Sequence, residues 1–320
     1  MKKAIWAIVI AVALYTILVL QSDVQKVLAA TDSINPYWIP AFLVLPLLNY
    51  GIRFLKWQYF LYRIKEKVPI AESLLIFIAG FSMTVSPGKM GELLKCSLLK
   101  KRFGIPIEKT SPIVVAERIT DLISMVLLAV LGAVLVKSRI ALPAAAAGAL
   151  FVSAAMFVLL NRKAWLFCSG LAARIPFLGR RKHFFDDFRE AAKTLLDARS
   201  LVVSVPIGMV SWGLEALVLC VVASSMGYSL PAGVALLSHA AGSVAGAVSM
   251  IPGGLGLTEL TIDGILRDYL PVATATATTL LMRFATLWFS VLLGIAALAG
   301  LKKKKPRALF LPHQDSCARR

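Results

Sequence analysis

The sequence predicts an all-α polytopic membrane protein with about six transmembrane helices plus two re-entrant helical hairpins, arranged as an inverted repeat. Three observations lead there. The composition is too apolar for a soluble domain, the basic residues sit in short connections, and a Pro-Gly motif with trailing charges recurs 165 residues further on. Of 320 residues, 58% are hydrophobic and 16% charged, where soluble domains average about 45–50% and about 25%. Mean hydropathy is +0.78.

The net charge of +18 would suit a nucleic-acid binder, but its distribution excludes that partner. Lys and Arg cluster in "YRIKEKVP", "LLKKRFGIPIEK", "NRKAW", "LGRRKHFFDDFREAAK" and "LKKKKPR". This is the positive-inside pattern, with attraction to anionic headgroups. Cys96, Cys168, Cys220 and Cys317 share no metal or redox spacing and read as reduced thiols.

The amino-terminal run Ala4–Leu20 is longer than the ~7–15-residue core of a signal peptide, and "VLAATDS" is a poor cleavage site, so it reads as a retained first span. Further runs at 37–62, 111–136, 140–160, 201–226 and 273–299 meet the roughly 20 residues needed to cross the bilayer. Two stretches, 71–100 and 232–270, are broken by "SPGKMGE" and "IPGGLGLTE". Each half is too short to cross, so each stretch is expected to be a re-entrant hairpin, shielded from lipid by the rest of the protein. Counting the two as hairpins places all the dense basic clusters on one face, whereas full spans would make the clusters alternate. Between Met226 and Arg283 the only Lys or Arg is Arg267, so the second hairpin begins and ends on the opposite side.

The whole of 1–320 is then a single membrane domain. It comprises a first repeat at 37–136 with hairpin 71–100, a cytoplasmic amphipathic loop at 161–199 and a second repeat at 201–299 with hairpin 232–270. A basic cytoplasmic tail follows at 301–320. In the loop, Phe184, Phe185, Phe188, Ala192 and Leu195 fall at helical spacing with charges between them. The expected location is the bacterial inner membrane, with both termini cytoplasmic.

The repeat sharpens the architecture. A shift of 165 residues carries Pro87, Gly88 and Gly91 onto Pro252, Gly253 and Gly256, Pro106 onto Pro271, and Arg118 onto Arg283. Inverted repeats with discontinuous helices are a transporter architecture, with substrate bound near the midplane. Breaking a helix exposes backbone N–H groups at a dipole-positive end, which suits an anionic group.

Charges within the spans mark the candidate site, because they are costly in lipid. "AERITD" puts Glu117, Arg118 and Asp121 within one helical turn of each other, where they can point inward together, and Arg118 lies ~10 Å deep. Arg283 is near the middle of the last span. Glu92 and Lys89 belong to the first tip. Glu259 follows the second and shares a helical face with Asp263 and Arg267. The arginines either tie the hairpins to the spans through Glu92 and Glu259 or receive a lipid phosphate, and the two roles are compatible. Glu215, and Arg53 with Asn49, are further polar points, with snorkelling to the surface an alternative for Arg53. His239 lies among small residues and is expected to pack or hydrogen-bond. No phosphate-binding loop, H-E-x-x-H, G-x-S-x-G or Cys/His cluster occurs, so no ATP hydrolysis, cofactor or metal is expected.

The order and spacing of Pro87-Gly88 with Gly91-Glu92, Glu117-Arg118 with Asp121, and Pro252-Gly253-Gly254 with Gly256 and Glu259 resemble the lysylphosphatidylglycerol synthase transmembrane-region family, flippase-like integral membrane proteins, over roughly residues 5–300. The resemblance implies translocation of a lipid across the bilayer, with Glu259 and Arg283 on its path. Only about twenty residues follow Gly300, so a stand-alone form without the family's aminoacyltransferase domain is expected. The expected function is a non-enzymatic lipid translocase moving an anionic phospholipid or polyprenyl-linked lipid between leaflets. The expected partners are membrane lipids with anionic headgroups and a separate lipid-modifying or glycosyltransferase enzyme. The alternatives are an intramembrane lipid-modifying transferase using Glu92 or Glu259, or a scaffold subunit of a lipid or glycolipid synthase. The candidate substrate-binding residues are Pro87, Gly88, Lys89, Gly91, Glu92, Glu117, Arg118, Asp121, Glu215, Pro252, Gly253, Gly254, Gly256, Glu259, Asp263 and Arg283.

Overall fold

Prolines set the starts of several helices. Pro69, Pro106, Pro231 and Pro271 each stand at the N-cap with ψ between 132° and 143°, and the helix begins at the next residue. Their missing N–H costs nothing there, because the first N–H groups of a helix have no intrahelical acceptor. Pro106 and Pro271 are related by the 165-residue shift, so the helices behind them start in register.

The computed structural model describes residues 24–32, 34–86, 92–138, 141–172, 182–249 and 251–303, and among these there are helices and no strand. In chain order they are α1 (Val24–Asp32), α2 (Ile39–Arg63), α3 (Ile70–Gly80), α4 (Leu94–Phe103), α5 (Ile107–Leu135), α6 (Ala141–Leu160), α7 (Arg162–Ala172), α8 (Lys182–Leu195), α9 (Ala198–Ser225), α10 (Ala232–Val248), α11 (Leu257–Leu266), α12 (Val272–Arg283) and α13 (Phe289–Lys303). The fold is an all-α polytopic membrane protein. Pro36–Arg63, Ile107–Leu135, Ala198–Ser225 and Val272–Lys302 are long and apolar enough to cross a bilayer. A fifth candidate, corresponding to the expected span 140–160, is bent by 92° between Ala146–Leu159 and Arg162–Leu171. The expected first span, 4–20, lies outside the described residues, as do Phe184 and Phe185 as side chains and most of the tail 301–320.

Each broken stretch is a pair of short helices. In the second, α10 and α11 are joined through a 3₁₀ turn, Pro252–Gly254. Gly253, Gly254 and Gly256 have φ of +64°, +66° and +90°, which only glycine adopts without strain. The tip folds back closely: a Cβ on Gly246 of α10 would stand 2.2 Å from the Thr258 hydroxyl of α11. In the first, α3 passes into a 3₁₀ turn, Phe81–Met83, and α4 returns. The intervening tip residues, 87–91, lie outside the described residues.

The two halves clasp one another. The first arm of the second hairpin, α10, packs along α5 of the first half, where Gly132 meets the backbone of Gly233 and Leu237. Reciprocally, α3 and its following turn pack against α13, where Gly294 meets the backbone of Phe81 and Ser82. Between these contacts α2 packs on α9, tied by Asn49 Nδ2 donating to the Ser211 carbonyl at 2.7 Å. Small residues at such crossings let helix backbones approach, the main source of helix association where lipid replaces water. Outward-facing Val134, Leu150, Val202, Phe284 and Leu292 are exposed apolar side chains, as a lipid-facing surface requires.

Beside this bundle, α8 lays Ala192, Leu195 and Leu196 in the core against α5, and Phe188 stacks on Trp165 of α7 at 5.9 Å. Asp197 accepts from the Ser200 N–H at 2.8 Å, capping α9, and pairs with Arg63 of α2 at 2.7 Å. The Arg63 hydrogen bond, with the cap, holds the Asp197 carboxyl below its ordinary value.

The helix crossings give a direct test of the clasp. A Cβ on Gly132 or Gly294 would lie 2.1–2.9 Å from partner backbone. Gly132→Ala and Gly294→Ala are therefore each expected to cost about 1–3 kcal/mol of stability. Gly170→Ala, with nothing within 4 Å of the added carbon, should be neutral or slightly stabilising. Thermal unfolding of the purified protein in detergent checks the contrast.

Candidate functional site

Helical spacing gathers the polar groups before any tertiary contact is considered. On α2, Asn49, Arg53 and Lys56 follow i, i+4, i+7 and form one stripe. On α9, Trp212 and Glu215 are three apart. Next to α4, Glu92 and Lys95 are also three apart. Packing α2, α5 and the first hairpin together brings these stripes onto "AERITD".

The result is a buried chain of alternating charge. Lys56 pairs with Asp121. Asp121 pairs with Arg118 at 3.1 Å, and Arg118 with Glu92 at 3.3 Å. Glu92 lies 3.8 Å from Lys95, whose ammonium donates to Glu117 at 2.5 Å. The Lys95 ammonium also stands 4.5 Å over the Trp57 ring. Lys56, Lys95, Glu92, Glu117 and Asp121 are all buried. In a low-dielectric interior such charges persist only when each has an opposite neighbour and hydrogen bonds.

The second half repeats the motif more sparsely. Arg283 Nε donates to Glu259 Oε1 at 2.6 Å, and its Nη2 donates to the Gly253 carbonyl at 2.9 Å. Glu259 Oε2 accepts from the Gly256 N–H at 2.7 Å, so the carboxylate caps the start of α11 at the positive end of its dipole. Asp263 pairs with Arg267 at 2.7 Å and accepts from the Thr276 hydroxyl at 2.9 Å. A π turn, Phe284–Trp288, follows Arg283 directly and widens the helix there.

Between the two halves lies a cavity of about 620 Å³. Its charged and polar lining includes Arg53, Glu92, Arg118, Asp121, Glu215, His239 and Arg283, and α6 supplies an apolar wall of Phe151, Ala154, Ala155 and Val158. Of the expected site residues, Glu92, Arg118, Asp121, Glu215, Gly253, Gly254 and Arg283 face this cavity. Pro252, Gly256, Glu259 and Asp263 do not line it, nor does Glu117, which is turned to Lys95 while Arg118 and Asp121 face inward. Pro87, Gly88, Lys89 and Gly91 lie outside the described residues.

Sequence reasoning missed Lys56 and Lys95, whose signal was their spacing of three from Arg53 and Glu92. It left Arg53 a choice that the structure makes: the guanidinium lies inside, 4.8 Å over the Trp212 ring and 5.5 Å over Phe81. His239, expected to pack, sits in the cavity wall with its ring 6.1 Å from that of Trp212. Among the described residues no cluster of His, Cys, Asp or Glu is arranged to hold a metal ion. The arrangement presents three guanidinium groups to one cavity, two of them held by carboxylates, and is suited to an oxyanion.

Residues 4–294 match the family described as the lysylphosphatidylglycerol synthase TM region, and the chain belongs to that family. It is similar to a UPF0104 membrane protein of Methanothermobacter thermautotrophicus, 24% identical over 292 residues, covering 78% of this chain and 80% of the relative.

The Arg283–Glu259 pair yields a measurable consequence. Arg283→Met alone leaves a buried carboxylate and should cost roughly 3–5 kcal/mol. The paired change Arg283→Met with Glu259→Gln removes both charges, keeps an acceptor for the Gly256 N–H, and should recover most of that loss. Unfolding midpoints of the wild type, both single variants and the double variant measure the coupling.

Proposed function

We propose that this membrane protein of the lysylphosphatidylglycerol synthase TM-region family moves an anionic phospholipid or polyprenyl-linked lipid between leaflets without changing it covalently. The observation that carries the reading is the cavity shared by the two halves, with Arg53, Arg118 and Arg283 on its lining and an apolar wall from α6. Its volume lies within the range of about 300–1,000 Å³ usual for small-ligand sites. A phosphate-bearing headgroup suits the guanidinium side, while its chains would remain against the apolar wall and the lipid beyond.

The mechanism follows from the ion pairs. Without lipid, Glu92 and Asp121 neutralise Arg118, and Glu259 neutralises Arg283. An arriving phosphate competes for the same donors, loosening a hairpin from its span. Because each hairpin is clasped by a helix of the other half, loosening one shifts the packing of both. Inverted halves would then present the site to each leaflet in turn. In this reading the protein resides in the inner membrane with both termini cytoplasmic, and a separate lipid-modifying or glycosyltransferase enzyme supplies or consumes the lipid.

Two experiments bear on it. Tyr228 and Tyr269 flank the second hairpin and are both exposed. In a background lacking Cys168 and Cys317, Tyr228→Cys and Tyr269→Cys should both react with an impermeant thiol reagent from the periplasm. Tyr62→Cys should react only from the cytoplasm, and labelling of Tyr228→Cys and Tyr269→Cys from opposite sides would refute the hairpin.

For transport, the purified chain in vesicles of phosphatidylcholine with headgroup-labelled phosphatidylglycerol should equilibrate the label between leaflets with no change in lipid mass. The folded double variant Arg283→Met with Glu259→Gln should be at least tenfold slower. A mass-shifted lipid would indicate an enzyme instead, and equal rates in both proteins would remove Arg283 from the path.

A further inference from the structure

We propose that Arg53 is the group that first takes the oxyanion of the headgroup, an assignment that rests on the lipid reading above and names the anchoring residue of that same cavity. Arg53 lies in the middle of α2, ten residues before Arg63. At 1.5 Å per residue that is roughly 15 Å, beyond the reach of its side chain to the surface. It is held instead at the cavity, over Trp212 of α9 at 4.8 Å and over Phe81, at the end of the first hairpin's first arm, at 5.5 Å. It therefore touches both halves of the molecule.

Its bonding differs from that of the other two cavity arginines. Arg118 is in ion-pair contact with Glu92 and Asp121, and Arg283 with Glu259 and the Gly253 carbonyl. Among the described residues Arg53 has no carboxylate within ion-pair distance and no hydrogen-bond acceptor, only the two rings. Stacking engages the face of a guanidinium and leaves its in-plane N–H groups available. Those donors match two oxygens of one phosphate in a bidentate contact. Arg53 can thus bind an anion without displacing an internal partner. The 165-residue shift carries Tyr50 onto Glu215 but Arg53 onto Val218, so the second half has no counterpart to this cation.

The test is equilibrium binding to the full-length protein in phosphatidylcholine nanodiscs, with dihexanoylphosphatidylglycerol and inorganic phosphate as probes. Wild type should bind the short lipid, Arg53→Gln should bind it at least tenfold more weakly, and Arg53→Lys should fall between, since it keeps the charge but not the planar fork. The unliganded melting temperature shows whether each variant is folded. If Arg53→Gln does not fold, Arg53→Lys decides: weakened binding supports the assignment and wild-type affinity overturns it. Equal affinity of Arg53→Gln and wild type, or a wild type that binds neither probe, overturns it as well. Binding of phosphate but not the lipid, lost in Arg53→Gln, keeps Arg53 as an oxyanion site and removes the lipid as its source. Arg53-dependent lipid binding without movement between leaflets keeps this assignment while the translocase reading fails.

Discussion

Everything in this structure depends on keeping charge neutral where water is scarce. Moving an ion from water into a medium of low dielectric costs of order 20 kcal/mol in the ideal limit and still several kcal/mol in a relaxed protein. A bundle that buries Lys56, Lys95, Glu92, Glu117, Asp121, Glu259 and Arg283 must therefore place each beside an opposite charge. That requirement acts beside the close helix packing in fixing where the hairpins sit. The Glu92–Arg118 and Glu259–Arg283 contacts tie each hairpin to a long helix of its own half.

The repeat meets this constraint in two ways. Arg118 and Arg283 occupy equivalent positions, but the carboxylates that meet them do not: Glu92 follows its tip proline by five residues and Glu259 by seven. The longer second tip places Glu259 at the N-terminal turn of α11, where it also caps the backbone. The first half instead extends its pair through Lys56, Asp121, Lys95 and Glu117. Among the described residues the first hairpin thus joins a network of six side chains, whereas the second is tied to its span by Arg283 through Glu259 and the Gly253 carbonyl and by Thr276 donating to Asp263. Networks couple their members, so a change at one side chain of the first is felt by the others.

Much of this was legible in the sequence because the governing signals are one-dimensional. Span length, Pro-Gly breaks and the 165-residue register depend on local composition, and the structure places helices behind Pro106 and Pro271 in that register. The Glu–Arg ties were also readable, since a charge in a span needs a partner and few exist. The lysines were not. Lys56 and Lys95 stand near basic clusters, where a solvated end is the ordinary expectation, and only the packing of α2 and α4 on α5 reveals their burial. Glu117 was grouped with Arg118 through their helical spacing to Asp121, yet adjacent helical residues point about 100° apart and Glu117 is taken by Lys95. The π turn after Arg283 left no trace in composition, whereas the bend after α6 falls where the expected span 140–160 gives way to the basic loop from 161.

The distribution of partners also orders the steps available to an incoming anion. A phosphate that displaced Glu92 or Glu259 at once would leave a buried carboxylate uncompensated, at a cost comparable to breaking the pair outright. A phosphate that met Arg53 first would displace only ring contacts and would bring negative charge close to Arg118 and Arg283 while their own carboxylates remain in place. The added charge would then weaken the Glu–Arg ties by repulsion before the phosphate competes for their donors. A site with three arginines, of which among the described residues only Arg53 lies beyond ion-pair distance of a carboxylate, would therefore admit an anion without first paying the full penalty of an unpaired buried charge.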